Sequence, residues 1–362
     1  FVRPRPNPIT PRAITSIYSE FGPDDIVENL DSDVVTAALF SENTGEISGM
    51  FTSSAQSQSS GEYYLDVYQK DPSTNNNQEI QFAIAYGHFK GSGSAVPQYA
   101  SVGFSPSRAV YKQYANTLLN AGDEQFTVTS VHPSSSANLE QFYAINFQRT
   151  RMKEKIDPGN WELHVSGNTT PIKLIDDSTV SDGTVTEAGR QYFIRSGTID
   201  AGLFSGDTYH YGVVYPDMGV LILDTAAIDG QVGLTVDSSS YAYSSTAVTV
   251  SNANTTHFFH HLSGSSTAQV GYFAARNKET IHSTHYFVRV KNNEFNFSNN
   301  LTFTSGSAGT FANASFFRDP KSYITTIGLY NDNNELLAVA KLSKPLLKTF
   351  SREALVRVKL EF

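Results

Sequence analysis

The last forty residues, Tyr323–Phe362, limit most tightly what this chain can fold into. Ile324–Tyr330 and Glu335–Leu342 are two strand-like runs joined by Asn331-Asp332-Asn333-Asn334. Asn and Asp tolerate positive φ and hydrogen-bond their own turns, so the segment reads as a β-hairpin. Pro345 reads as a break. Beyond it, Ala354, Val356, Val358, Leu360 and Phe362 fall on one face of a strand, with Arg357, Lys359 and Glu361 on the other. This pattern predicts a C-terminal segment packed into a β core, with no residue suited to catalysis.

Composition agrees. The 362 residues are 17% charged and 12% aromatic, the aromatics being 24 Phe and 19 Tyr against one Trp. Polarity comes from Ser, Thr and Asn, as in ordered β-rich proteins. A net charge of −9 argues against nonspecific nucleic-acid binding, which needs clustered Lys and Arg. The absence of cysteine excludes disulfides, thiolate metal sites and Cys nucleophiles, and fits assembly in a reducing cytoplasm. No apolar run approaches the length of a membrane-spanning helix.

Along the chain, residues 1–30 read as an extended Pro/Arg-rich arm and linker. Proline at 4, 6, 8 and 11 fixes φ and removes backbone donors, so the arm cannot enter a sheet interior. Its Arg3, Pro4, Arg5, Pro6, Pro8, Pro11 and Arg12 are candidates for contact with a neighbouring subunit. Residues 31–189 read as a β-rich core. Within it, Ser105–Gly122 is the one clear helix: Ser105 caps, Pro106 opens the first turn, and Ala109, Val110, Tyr114 and Leu118 form its apolar stripe. Asp157-Pro158-Gly159-Asn160 reads as a turn between strands, and Gly91-Ser92-Gly93-Ser94 as a flexible loop. Residues 190–280 read as a β-rich inserted subdomain with Val236–Thr256 as a polar tip, and 281–362 as strands completing the core. The expected fold is mainly β: an antiparallel, sandwich-like core with one helix, an N-terminal arm and a β-rich insertion.

Candidate chemistry is sparse. His257, His260 and His261 precede His282 and His285 at a spacing compatible with a metal, but no HExxH pattern accompanies them, and packed or interfacial histidines are the expectation. Asp176, Asp177 and Asp182 lack the calcium-loop spacing and read as loop caps. GxSxG, Walker A and GxGxxG signatures are all missing. No cofactor or metal is expected, and a non-enzyme is favoured over a hydrolase or lyase.

The runs TTIGLYND, ELLAVAKLSKP and EALVRVKLEF, with Asn296–Thr304 and Ser105–Leu119, resemble virion structural proteins of large contractile-tailed, T4-like bacteriophages, including those of marine cyanobacteria. The resemblance covers roughly a third of the chain and carries over no site residue. It implies a late structural protein of the baseplate or tail, located in the virion and assembled in the host cytoplasm. It would be present in several copies beside other virion proteins, with no nucleic-acid partner. Two alternatives accompany it: a neck or capsid protein, and a host-surface glycan-binding tail component with Tyr241 and Tyr243 at its tip.

Overall fold

A computed structural model describes residues 26–41, 44–53, 63–94, 105–167, 171–232, 253–264, 271–305 and 309–361. In chain order it forms β1 (Ile26–Ala38), β2 (Glu46–Ile47), β3 (Tyr64–Tyr68), β4 (Ile80–His88) and α1 (Pro106–Leu118). β5 (Gln141–Phe147), α2 (Arg149–Met152), β6 (Lys155–Val165), β7 (Ile172–Asp176), β8 (Thr184–Thr186), β9 (Gly189–Thr198) and β10 (Gly202–Leu203) follow. Next come β11 (His210–Tyr215), β12 (Val220–Asp224), α3 (Thr225–Val232), α4 (Ala253–Ser263) and β13 (Tyr272–Val290). The last strands are β14 (Thr304–Ser305), β15 (Thr310–Phe311), β16 (Ser322–Tyr330), β17 (Leu336–Lys348) and β18 (Ala354–Glu361). The chain is mainly β and divides into two compact units, residues 34–279 and residues 1–33 with 280–362.

The larger unit is built on one antiparallel sheet in the order β13-β6-β7-β9-β11-β12-β5-β4-β3. Its central strands are covered on both faces, which is why β11 (HYGVVY) and β12 (VLILD) are apolar almost without alternation and buried throughout. Successive residues feed two cores. Tyr143, Ile145, Leu221 and Leu223 join one, while Phe142, Ala144, Val220 and Ile222 join the other, under α1. In the first core Phe273 meets Phe40, Phe82 and Phe147 at ring distances of 5.3–5.7 Å. Strands β9, β11 and β12 lie in the middle of this sheet, so residues 190–224 are part of the core and not an insertion.

Helix α1 starts as expected, with Ser105 Oγ accepting the Arg108 N–H and Pro106 in the first turn. Its buried stripe is Tyr111, Ala115 and Leu118, one position round from the predicted one, and Ala109 is exposed. Gly91–Ser94 is not a loose loop. Ser105 and Ser107 hydroxyls donate to the Gly91 and Ser92 carbonyls at 2.6 and 2.7 Å, and Asn254 of α4 donates to the Gly93 carbonyl at 2.8 Å. Asp157–Asn160 does not turn the chain between strands. It lies within β6 as an irregularity against β13, with Gly159 at φ +75°.

In the C-terminal unit, β18 pairs with Ser283–Val290 of β13, and Ala354, Val356 and Val358 are buried as the alternation requires. The hairpin β16–β17 also forms, turning at Asn331–Asn334. The Asn331 side chain accepts the N–H groups of Asn333 and Glu335, and Asn334 adopts φ +62°. Two expectations fail here. β17 runs through Pro345, which is accommodated where the register jumps between Ile324 and Thr326. The hairpin is also a separate two-stranded sheet whose side chains are largely exposed, so it does not complete a core.

Candidate functional site

The larger unit gathers buried polar groups around α3. β12 ends at Asp224, whose Oδ1 accepts the Ala226 N–H at 3.1 Å, capping the helix. Its Oδ2 accepts the Ser135 hydroxyl. Burial raises the Asp224 carboxyl above its ordinary range against the lowering pull of these hydrogen bonds. Asp229, within α3, has a buried Oδ1 with no hydrogen-bond partner among the described residues. Burial, and secondly the Asp224 charge, push this carboxyl up to about 8, so it is protonated at neutral pH.

The Tyr143 hydroxyl is likewise buried and without a partner among the described residues. It is pushed up by burial first and by Asp229 next. Its ring stacks on Phe258 of α4 at 4.2 Å.

His132 completes the group. Its Nδ1 accepts the Ser134 N–H at 3.2 Å, and burial lowers its pKa against the raising pull of Asp207. The neutral ring therefore carries its proton on Nε2, and the Gln231 amide 2.9 Å away must present its oxygen to that nitrogen. Both ring nitrogens are thus engaged away from Ser135, whose proton goes directly to Asp224. A serine-hydrolase relay needs the imidazole between hydroxyl and carboxylate, and this order does not supply it. What the cluster offers chemically is one protonated carboxyl beneath a short helix. A cavity of about 10 Å³, at the lower bound for one water, lies elsewhere, lined by Tyr86, Ser94, Ser107 and Asn254 among others.

The histidines singled out from the sequence divide between the units. His257 is exposed on α4. The His261 ring meets the Ser166 carbonyl through Nδ1 at 2.8 Å, while the His261 carbonyl accepts the Ser166 N–H at 2.9 Å. In the C-terminal unit His285 is buried, its Nδ1 accepting from Arg357 Nε at 2.8 Å. Among the described residues no three His, Asp or Glu side chains are grouped to hold a metal. Asp176 and Asp177 cap loops: Asp176 accepts the Gly159 and Ser178 N–H groups at 2.8 and 2.9 Å, and Asp177 accepts that of Phe193 at 3.0 Å. The arm residues Arg3, Pro4, Arg5, Pro6, Pro8, Pro11 and Arg12 and the tip residues Tyr241 and Tyr243 lie outside the described residues. Among the described residues no helix is long and apolar enough to cross a membrane.

The C-terminal unit presents a different kind of surface. Tyr323 and Leu337 are 60% and 67% exposed, and Val339, Leu336 and Phe350 are exposed beside them. A lone two-stranded ribbon is marginal in water, and this one carries large exposed apolar side chains on its faces. Charge divides in the same sense. Residues 280–362 carry ten Lys and Arg against six Asp and Glu, whereas residues 34–279 carry thirteen against twenty-three.

The chain matches no protein-family profile, no curated protein and no solved structure.

Proposed function

We propose that this chain is a structural subunit of a bacteriophage particle, in the baseplate or tail, that joins neighbouring subunits through its C-terminal hairpin and its Pro/Arg arm. The observation that carries the assembly reading is the hairpin β16–β17, a two-stranded sheet exposing Tyr323, Leu336, Leu337 and Val339. Burying such side chains is worth on the order of 1.5–3 kcal/mol each, which an assembly partner would supply. The bacteriophage context rests on the resemblance of the C-terminal and helix segments to virion proteins. The chain acts as a scaffold in this reading, with Asp229 and Asp224 belonging to the interior.

The test is incorporation. Particles purified from cells carrying the parent gene are expected to contain the chain. A Leu337→Asp, Val339→Asp double variant, altered only at exposed positions, is expected to fold and to be missing from them. Removal of residues 1–12 should lower copy number in the same way. Particles lacking the parent chain, or carrying the double variant in full, would overturn the reading.

A further inference from the structure

We infer that two copies of this chain pair edge to edge through β16, antiparallel about a two-fold axis, making one four-stranded sheet from two hairpins. The inference rests on the assembly reading above and names a partner within it, a second copy of the chain.

The choice of edge comes from what guards the others. Natural sheets keep their edges from pairing with lysines, charged side chains and proline. In the C-terminal unit β17 carries Lys341, Lys344 and Pro345, and β18 carries Arg357, Lys359 and Glu361. β16, SYITTIGLY, carries no charge and no proline over nine residues, and among the described residues it pairs with β17 alone. Of these three strands only β16 is unguarded, and it is far longer than the two-residue strands β14 and β15.

The choice of partner comes from charge and from size. Two β16 edges meeting antiparallel oppose no charges. The lysines of the two β17 strands then sit three strand spacings apart, about 14 Å, beyond a Debye length of about 8 Å at physiological salt. Pairing through β17 would instead crowd those lysines within one spacing. A two-fold centred on Thr326 sets Tyr323 opposite Leu329 and Thr325 opposite Ile327, pairs of aromatic, aliphatic and β-branched residues that suit adjacent strands. Nine residues a side fall short of the about 20–30 of a standard interface, so the contact is weak in isolation and strengthens where copies are held close in an assembly.

The absence of cysteine makes the test direct. Thr326→Cys introduces a sole thiol at an exposed position. Opposed residues of an antiparallel pair lie about 4.5–5.5 Å apart between Cα atoms, within disulfide reach. Under a mild oxidant this variant is expected to form a linked dimer at least about tenfold faster than Lys344→Cys on β17, whose copies lie too far apart. The unmodified chain should rise toward twice its monomer mass with concentration in sedimentation, and a Thr325→Lys, Thr326→Lys variant should stay monomeric. Equal cross-linking at 326 and 344, or a monomer at every concentration, overturns the pairing. A monomeric chain that still enters particles removes the pairing and leaves the assembly reading. A dimer that never enters particles does the reverse.

Discussion

Replacing Asp229 by Asn removes one titrating group from α3 while keeping its shape. In the folded chain this carboxyl is pushed up to about 8, by burial first and by Asp224 second, from an ordinary value of 3.8. Between those values the folded chain holds a proton that the unfolded chain has released. The stability contributed is therefore complete at low pH and declines as pH rises toward 8. One proton corresponds to about 1.4 kcal/mol per pH unit, an upper limit of about 6 kcal/mol over the window. Asp229 as a residue is only part-buried, and relaxation brings the expected loss to on the order of 2–3 kcal/mol. The Asn amide, left without a ready acceptor, costs about 1 kcal/mol at every pH. The variant should thus be less stable than the parent near pH 4.5 and more stable near pH 8.5, flags set by the same window (~4–8). Urea unfolding followed by Trp161 fluorescence measures this in the larger unit, because that single Trp is buried in β6. Taking the difference between the two chains removes other titrations. Among these, His210, lowered to about 4 by burial and then by Arg195, stabilises above its ordinary 6.5 and loses that contribution as pH falls. Parallel curves for parent and variant would show that Asp229 is ionised in the folded chain and refute the reasoning.

Lys348 is fully buried in the C-terminal unit, its Nζ donating to the Asn292 and Thr349 carbonyls and to Asn296 Oδ1 at 2.9–3.2 Å. Lys348→Met keeps the stem and orphans the acceptors, and should cost about 3 kcal/mol locally, read as roughly hundredfold faster amide exchange over residues 291–303. Gly212 sits at the β11 bulge with φ +145°, and a Cβ there would lie 2.0 Å from the Ile222 carbonyl oxygen. Gly212→Ala should cost at least about 3 kcal/mol by prying β11 from β12, seen as a lowered urea midpoint.

Local chemistry made the hairpin, the α1 cap and the one-faced β18 legible in the sequence. Asn331–Asn334, Ser105-Pro106 and the alternation at Ala354–Val358 each act through neighbours a few residues away. The failures share a cause in long-range packing. Val236–Thr256 reads as β-prone, yet Ala253–Thr256 opens α4, whose Phe258 is claimed by Tyr143 across the core. Pro345 reads as a terminator, yet a register jump absorbs it. The Asp224 cap at the end of an apolar run was visible in principle. Asp229 carried no signal, because its shift comes from what covers it and not from its neighbours in sequence. The exposure of the hairpin was equally hidden: alternating apolar residues predict a covered face without saying which molecule covers it.

The hairpin is held from within its own unit. At its base Ser322 and Lys348 stand opposite each other, both buried. The Ser322 hydroxyl donates to the Phe295 carbonyl at 2.5 Å, and Lys348 reaches Asn292 and Asn296 in the same loop. At its tip the Asn331 side chain fixes the turn, and just below it Tyr330 and Leu336 lie over Gly328, where a Cβ would come within 2.9 Å of the Tyr330 ring. A ribbon fixed at base and tip has already lost much of the freedom that binding would otherwise remove, so even a short edge can pair usefully. It follows that Lys348→Met should weaken β16 pairing although Lys348 touches no edge. Linked-dimer formation by Thr326→Cys should slow when Lys348→Met is added, and an unchanged rate would mean that the hairpin keeps its shape without its basal clamp.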